Sequence, residues 1–420
     1  MTQGKAPHEP LDVAACRRQF PALARELSGR SAVFFDGPAG SQVPQRVIDA
    51  IGEYLVHCNA NHGGAFATSV ENDELLAGAQ QAAADFVGTD DQAEIVFGAN
   101  MTTLTFAVSR AMASTWRSGD EVIVTQLDHD ANVTPWVLAA RDVGATVRHV
   151  EIHQEDCTLD LDDLRNKLNE RTRLVAVGCA SNAVGTINPV REICRSAHEV
   201  GAEVFLDAVH YAPHALIDVQ SWDCDFLAAS AYKFFGPHVG ILWGRRERLA
   251  ELPAYKVRPA SEAVPDRWMT GTPNYECIAG TRAAIDYLAD LGRSAAEPDL
   301  PRRAALAAAF GRIAVHEQKL LARMLTGLAE LPDFRVWGIP DLQRIDQRVP
   351  TISITHARLS PRQLAERLAA EGIFVWDGNF YALPLTERLE LEPQGLVRIG
   401  LLHYNTMQEV ERLLEALVQL

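Results

Sequence analysis

The sequence predicts an α/β protein: a large domain built on a mostly parallel sheet, followed by a smaller α+β domain. Three observations predict it. From Val33 to about Gly244 short β-branched runs alternate with amphipathic helical stretches, the pattern of strand–helix–strand units. Several runs, such as Leu174–Gly178, are apolar throughout, which is how a strand covered on both faces reads. After about Asp290 the character changes to a charged, alanine-rich helix and a β-α-β-β-α succession.

In chain order, the amphipathic piece Asp12–Leu27 packs on the second domain. Strands are expected at Val33–Asp36, Glu94–Phe97, Glu121–Thr125, Thr146–Val150, Leu174–Gly178, Glu203–Ala208, Phe226–Ser230 and Val239–Trp243. Helical patterns between them include Gln45–Cys58, Glu71–Val87, Thr102–Trp116, Leu161–Leu168 and Pro189–Val200. Arg258–Thr272 has little periodicity and is expected as a loop. The second domain reads as helix Arg302–Leu328, strand Val349–Thr355, helix Pro361–Ala370, strands Ile373–Trp376 and Leu396–Leu401, and a last helix Met407–Leu417. The expected division is 1–30 as an N-terminal segment on the small domain, 31–290 as the large domain, and 291–420 as the small one.

Composition narrows the function. The 420 residues are 47% hydrophobic and 22% charged, which excludes a disordered chain, a collagen and a disulfide scaffold. With 39 Lys plus Arg against 55 Asp plus Glu and a net charge of -16, and with only the short, isolated pairs Arg245-Arg246 and Arg302-Arg303, the sequence shows no Lys/Arg cluster to displace phosphate counterions. Nucleic acid is therefore not expected as a partner. The seven cysteines stand singly with no C-x-x-C, so no zinc or thioredoxin motif is present. The N-terminus MTQGKAPHEP lacks an apolar signal core. The uncharged stretch 174–190 is broken by Ser181, Asn182 and Asn188 and is too short to span a bilayer comfortably. A cytoplasmic enzyme with reduced thiols and no membrane partner is the expectation.

Three strand ends carry chemistry. Asp207-Ala208-Val209-His210 closes a buried-looking strand, where open α/β sheets collect ligands; alone, Asp207 reads equally as a helix cap. Lys233 follows the strand Phe226–Ser230 and precedes aromatics and a Gly-Pro turn. Desolvation there makes an amine nucleophilic, although a lone lysine is usually a solvated charge. His129 sits between Asp128 and Asp130 and suits a general acid/base, a stacked ring or a solvated loop. No second ligand lies at metal spacing on its element, so no metal is expected. Together, an acid, a lysine and a flat ring are what pyridoxal phosphate needs. The lysine forms the Schiff base, the acid pairs with the pyridinium nitrogen, and the histidine covers the ring.

The order of motifs then resembles a known family. Phe34-Phe35-Asp36-Gly37-Pro38-Ala39-Gly40, Glu94-Ile95-Val96-Phe97, His129-x-Ala131-Asn132, Pro135-Trp136 and Ser181-Asn182-x-x-Gly185-Thr186 come first. Asp207-x-x-His210, Ser230-x-x-Lys233, Gly271-Thr272-Pro273-Asn274 and Val397-Arg398-Ile399-Gly400 follow. Over nearly its whole length the chain is similar to fold-type-I pyridoxal-phosphate enzymes of the class V aminotransferase group, in the cysteine desulfurase and selenocysteine lyase branch. The resemblance implies a seven-stranded, mostly parallel sheet in the large domain. It makes Lys233 the Schiff-base lysine and proton shuttle, Asp207 the pyridine-nitrogen partner and His129 the stacking ring. His210 stands for a glutamine that bonds the cofactor's phenolic oxygen. Met101, Thr102, Ser230 and Tyr232 fall at phosphate-binding positions, Tyr232 as a substitution for histidine. Thr272 resembles a threonine that reaches the neighbouring subunit's phosphate, implying a homodimer with shared sites. Asn182 and Arg398 resemble the pair that holds the substrate's α-carboxylate, Arg398 bidentately.

Two stretches depart from the branch. Its nucleophilic cysteine stands on a loop that matches Asp377–Pro384, where Tyr381 takes the cysteine's place, and no cysteine follows Cys277. A phenol cannot accept sulfur as a persulfide. The stretch Asn59–Phe66, with His62, replaces a His-Arg-Gly pattern and is expected, with Tyr381, to read the substrate's side chain. The expectation is a pyridoxal-phosphate enzyme acting on an amino acid, favoured as a lyase (carbon–sulfur or other β-elimination) without a protein persulfide. Transamination and epimerisation at Cα are the alternatives. A cofactor-binding scaffold or regulator is the non-enzyme reading, weakened because Lys233, Asp207, His129 and Arg398 all stand. No G-x-G-x-x-G follows a strand, which excludes a dinucleotide-binding reading.

Overall fold

The computed structural model describes residues 10–27 and 29–420; the first nine residues of the expected N-terminal segment lie outside them. Seven strands form the main sheet: β1 (Ile95–Gly98), β2 (Glu121–Thr125), β3 (Thr146–Val150), β4 (Thr172–Gly178), β5 (Glu203–Asp207), β6 (Phe226–Ser230) and β7 (Gly240–Gly244). Their order is β1-β7-β6-β5-β4-β2-β3. Neighbours are parallel except at β7, which runs against both β6 and β1. Ser230 and Gly98 both register with Gly240, so β1 runs with β6. The carboxyl ends of β1 to β6 therefore share one edge, where ligands of open sheets bind.

The apolar runs are explained by packing on both faces. Phe97, Val177, Leu206 and Leu227 enter one buried cluster, while their neighbours Val96, Ala176, Phe205 and Phe226 enter another. Alternation at period two is hidden because both faces are core. Only the edge strand β3 shows exposed positions.

A second sheet holds β8 (Phe334–Trp337), β9 (Thr351–His356), β10 (Trp376–Gly378) and β11 (Leu396–Gly400), in the order β8-β9-β11-β10 and antiparallel throughout. Here the structure corrects two expectations. Val33–Phe34 does not join the large sheet but pairs in parallel with Ile373–Phe374, and Asp36 bridges to Gly400 beside it. Ile373–Trp376 is not one strand: Ile373–Phe374 takes that pairing, and Trp376–Gly378 pairs with β11 instead. The strand β8 and the helix Tyr275–Gly292 were not anticipated. Arg258–Thr272 contains neither helix nor strand, as expected.

Helix Arg302–Ala329 belongs to both halves. Ala305, Leu306, Phe310 and Ile313 pack in the main core, and Leu320, Leu321, Met324, Leu325 and Leu328 pack with Val33, Ile352 and Val397 in the second. Near the N-terminus, Phe20 packs edge-on against Tyr287 (5.4 Å) and lies 5.0 Å from Tyr404, and Arg17 pairs with Glu409 at 2.9 Å. Burying a ring such as Phe20 is worth about 1.5–3 kcal/mol, which offsets part of the cost of ordering this segment. Among the described residues no helix is long and apolar enough to cross a membrane.

Candidate active site

The strand ends converge on a cleft of about 620 Å³. The loop after β1 supplies Met101 and Thr102, the loop after β2 supplies Asp128 and His129, and the turn after β4 supplies Asn182. Asp207 ends β5 with His210 in the turn that follows, and Ser230 ends β6 with Tyr232 and Lys233 in the turn that follows. Nine of the expected site residues thus line one cavity.

At the β1 end, helix Met101–Ala113 starts on a capping box, in which Asn100 accepts from the Thr103 amide. Ser230 Oγ accepts the Met101 N–H at 3.0 Å, tying the helix start to β6. Gly240 permits this approach, since a Cβ there would lie 2.4 Å from the Asn100 backbone. The positive dipole end of a helix N-terminus is suited to a phosphate.

Lys233 donates to the Pro38 carbonyl. Burial, with Arg398 nearby, pushes its amine down to about 7, against the pull of Asp207. Asp207 accepts the Val209 amide at 2.8 Å and is pushed up to about 6 by burial. His129 Nδ1 accepts from the Ala131 amide at 3.0 Å, which leaves its proton on Nε2 when neutral. Burial and the cations Lys233 and Arg398 push it down to about 4. His210 is buried, its Nε2 2.9 Å from Thr351 Oγ1.

The opposite wall comes from the second sheet. Arg398, on β11, donates through Nη1 to the Asn182 carbonyl at 2.8 Å, and its Cζ lies 4.1 Å over the Phe380 ring. Its Nε and Asn182 Oδ1 are buried without partners. Burial pushes Arg398 down to about 9. Tyr381 stacks on His129 with centroids 5.5 Å apart and planes at 27°. The Asp130 amide donates to the Tyr381 carbonyl at 2.6 Å and Asn182 Nδ2 to the Phe380 carbonyl at 2.8 Å. Phe380 and Tyr381 both adopt φ 58, a left-handed backbone that costs bulky residues of order 1–3 kcal/mol each.

Two expected residues stand apart within one chain. Thr272 is exposed in the loop before helix Tyr275–Gly292 and does not line the cleft. His62 is also exposed, 4.0 Å from Asp73 and with its ring 6.5 Å from that of Tyr275. Asp36, Asp128, His238 and Phe380 join the site without having been expected. Asp128 is buried, accepts from Thr125 at 2.6 Å and is pushed up to about 7 by burial; its place three residues after β2 was its only signal. Asp36, pushed up to about 6 by burial and close enough to Arg398 to feel its charge, and Phe380 reach the site through long-range folding.

The aminotransferase class-V family profile matches residues 33–413. The chain belongs to the class V aminotransferase family. It is 32% identical to a cysteine desulfurase of Escherichia coli O127:H6 over 422 residues, covering 97% of this chain and 98% of that protein. It is 31% identical to a cysteine desulfurase of Synechococcus elongatus over 421 residues, covering 97% of this chain but 63% of that protein's length. The apo structure of a cysteine desulfurase from Thermococcus onnurineus NA1 superposes with a TM-score of 0.86 at 27% identity, covering 99% of each chain. Class V aminotransferases and cysteine desulfurases use pyridoxal 5′-phosphate, and this chain is a pyridoxal-phosphate enzyme of that family. The expected fold type agrees with these neighbours.

Proposed function

We propose that this class V enzyme is a lyase that removes a β-substituent, sulfur above all, from a cysteine-derived amino acid without passing sulfur to a protein thiol. Bound in the cleft, pyridoxal phosphate supplies an electron sink conjugated to the substrate's Cα. The residues present suit it. Lys233 offers an amine that burial brings down to about 7, so that a large share of it is neutral near pH 7, and Asp207 is a buried carboxyl that a ring cation would hold ionised. His129 offers a neutral ring to stack, and the start of helix Met101–Ala113, which lines the same cleft with Ser230 and Tyr232, is suited to a phosphate. Arg398 Nε, a donor buried without a partner, is available to bond a substrate carboxylate, while the unpartnered Asn182 Oδ1 can accept only from a donor such as a substrate N–H. Lys233 Nζ would take the proton from Cα, and the pair left on Cα would form a Cα–Cβ double bond as the Cβ–S bond breaks. Sulfide would leave with the pair of that bond, and water would convert the released enamine to pyruvate and ammonia.

The observation that carries this reading is the state of the thiols. No cysteine lines the cleft, and burial raises all seven thiols above their ordinary range, so none offers the thiolate that sulfur transfer needs. Tyr381 and His62 are proposed to read the substrate side chain. We further propose a cytoplasmic homodimer whose partner Thr272 completes the phosphate site. Exposed Ile48, Leu55 and Val56 on helix Gln45–His57, with Phe66 and Val70, support such an interface. The deciding experiment incubates the yellow holoenzyme with cysteine and measures sulfide, pyruvate, alanine and intact mass. Sulfide with pyruvate at unchanged mass is expected. Alanine with a one-sulfur adduct would overturn the reading, keto acid without sulfide would favour transamination, and an inverted enantiomer epimerisation.

A further inference from the structure

Behind the cleft the fold buries a row of titratable side chains that the chemistry above does not use. His210 and His214 lie one turn apart after β5, which puts both rings on one side; their centroids are 5.7 Å apart at 71°. His214 Nδ1 lies 2.9 Å from Oε2 of Glu317, midway along helix Arg302–Ala329. Exposure is 4% at His210, 5% at His214 and 2% at Glu317. Glu317 Oε1 is buried with no partner. Burial pushes the Glu317 carboxyl up and the His214 ring beside it pulls it back, so this carboxylate keeps its charge only against a cation at His214. On its other side His210 reaches Thr351 and lines the cleft.

We propose that Glu317 and His214 are positioning residues: the pair carries its proton on His214, turns a positive end toward His210, and so biases the proton affinity of the cofactor bound at Lys233. This rests on the cofactor reading above. His210 is faced by His214, Arg398, Lys233 and His129, all basic. His214 is faced by Glu317, His210 and His403. Glu317 is the acid that faces His214, while Asp207 and Asp128 line the cleft on the Lys233 side. Burial and these basic neighbours hold His210 neutral, so it meets the cofactor as a neutral hydrogen-bonding ring.

The test reads the visible absorbance of the holoenzyme against pH. Glu317→Gln should leave His214 without its proton and move the absorbance midpoint to higher pH, because the Schiff-base nitrogen at Lys233 no longer faces a positive end. A few tenths of a pH unit is the size expected of a dipole acting through a protein interior. The double variant His214→Leu/Glu317→Leu should move it in the same direction, and replacing a buried ion pair by apolar residues is commonly tolerated. It decides alone if Glu317→Gln does not fold. Glu317→Asp, which keeps the charge, should keep the wild-type midpoint. An unshifted or lowered midpoint in the charge-removing variants overturns the proposal, as does a Glu317→Asp midpoint equal to that of Glu317→Gln. A wild-type protein that never turns yellow with pyridoxal phosphate would instead refute the cofactor reading, before any variant is made.

Discussion

The wall of the cleft that carries Lys233 and Asp207 is built from strand ends, whereas the wall that carries Phe380 and Tyr381 is a loop held in left-handed backbone. On the first wall β6 is buried along its whole length and β5 at every residue but Glu203, and position follows from sheet register. On the second, Tyr381 is 72% exposed, and the loop keeps its place through hydrogen bonds to Asp130 and Asn182 and the contact of Phe380 with Arg398. The difference teaches where precision is needed. Bond-making groups sit on the part that cannot move, and the part that meets the substrate's variable side chain is held by a few breakable contacts.

That contrast is broken most severely at Lys233. Lys233→Ala should lose the borohydride-fixable chromophore and reduce turnover by about three orders of magnitude or more; a retained fixable cofactor would refute the assignment. Arg398→Lys comes next. It keeps the charge but loses the fork, and the Michaelis constant should rise roughly ten- to a hundredfold with a smaller change in turnover number. Equal loss in both constants would place Arg398 in the chemistry instead of the seat.

A smaller effect is pH-dependent. Because the neutral amine is the nucleophile and Lys233 lies at about 7, apoprotein should take up pyridoxal phosphate about tenfold faster at pH 8 than at pH 6 and level off above. A rate still climbing past pH 9 would mean an unperturbed lysine. Smallest is Tyr381 on the loop wall. Tyr381→Ala should lower catalytic efficiency by only about threefold to tenfold, the worth of one aromatic pair, and weaken the cofactor's circular dichroism as His129 gains freedom. Tyr381→Phe should keep both, since stacking needs the ring and not the hydroxyl; loss in Tyr381→Phe would assign work to the phenol.

Much of the strand-end wall was legible because each residue sits a few positions past an apolar run, and such runs announce their own ends. Glu121–Thr125, Thr146–Val150 and Phe226–Ser230 fall where the pattern puts them. The other wall was legible only in part. Val33–Phe34 looks like any buried strand, and its apolar residues say nothing of a partner some 340 positions away at Ile373–Phe374. The strand β8 is short and half exposed, so it offers little hydrophobic signal. Helix Tyr275–Gly292 is buried along much of its length, which blurs the amphipathic stripe that marks a surface helix. Phe380 and Asp36 gain their meaning from Arg398, a contact that no local pattern contains.

Helix Arg302–Ala329 carries a consequence for how the molecule comes apart. Its first half is packed into the core of the large sheet and its second into that of the small sheet, so neither core can open without exposing apolar residues of one continuous rod. Helix formation is cooperative along the chain, and loss of packing at one end weakens the other. Melting should therefore be a single calorimetric transition with both halves in step, and a substitution such as Leu321→Ala deep in the small core should lower the melting temperature of the whole.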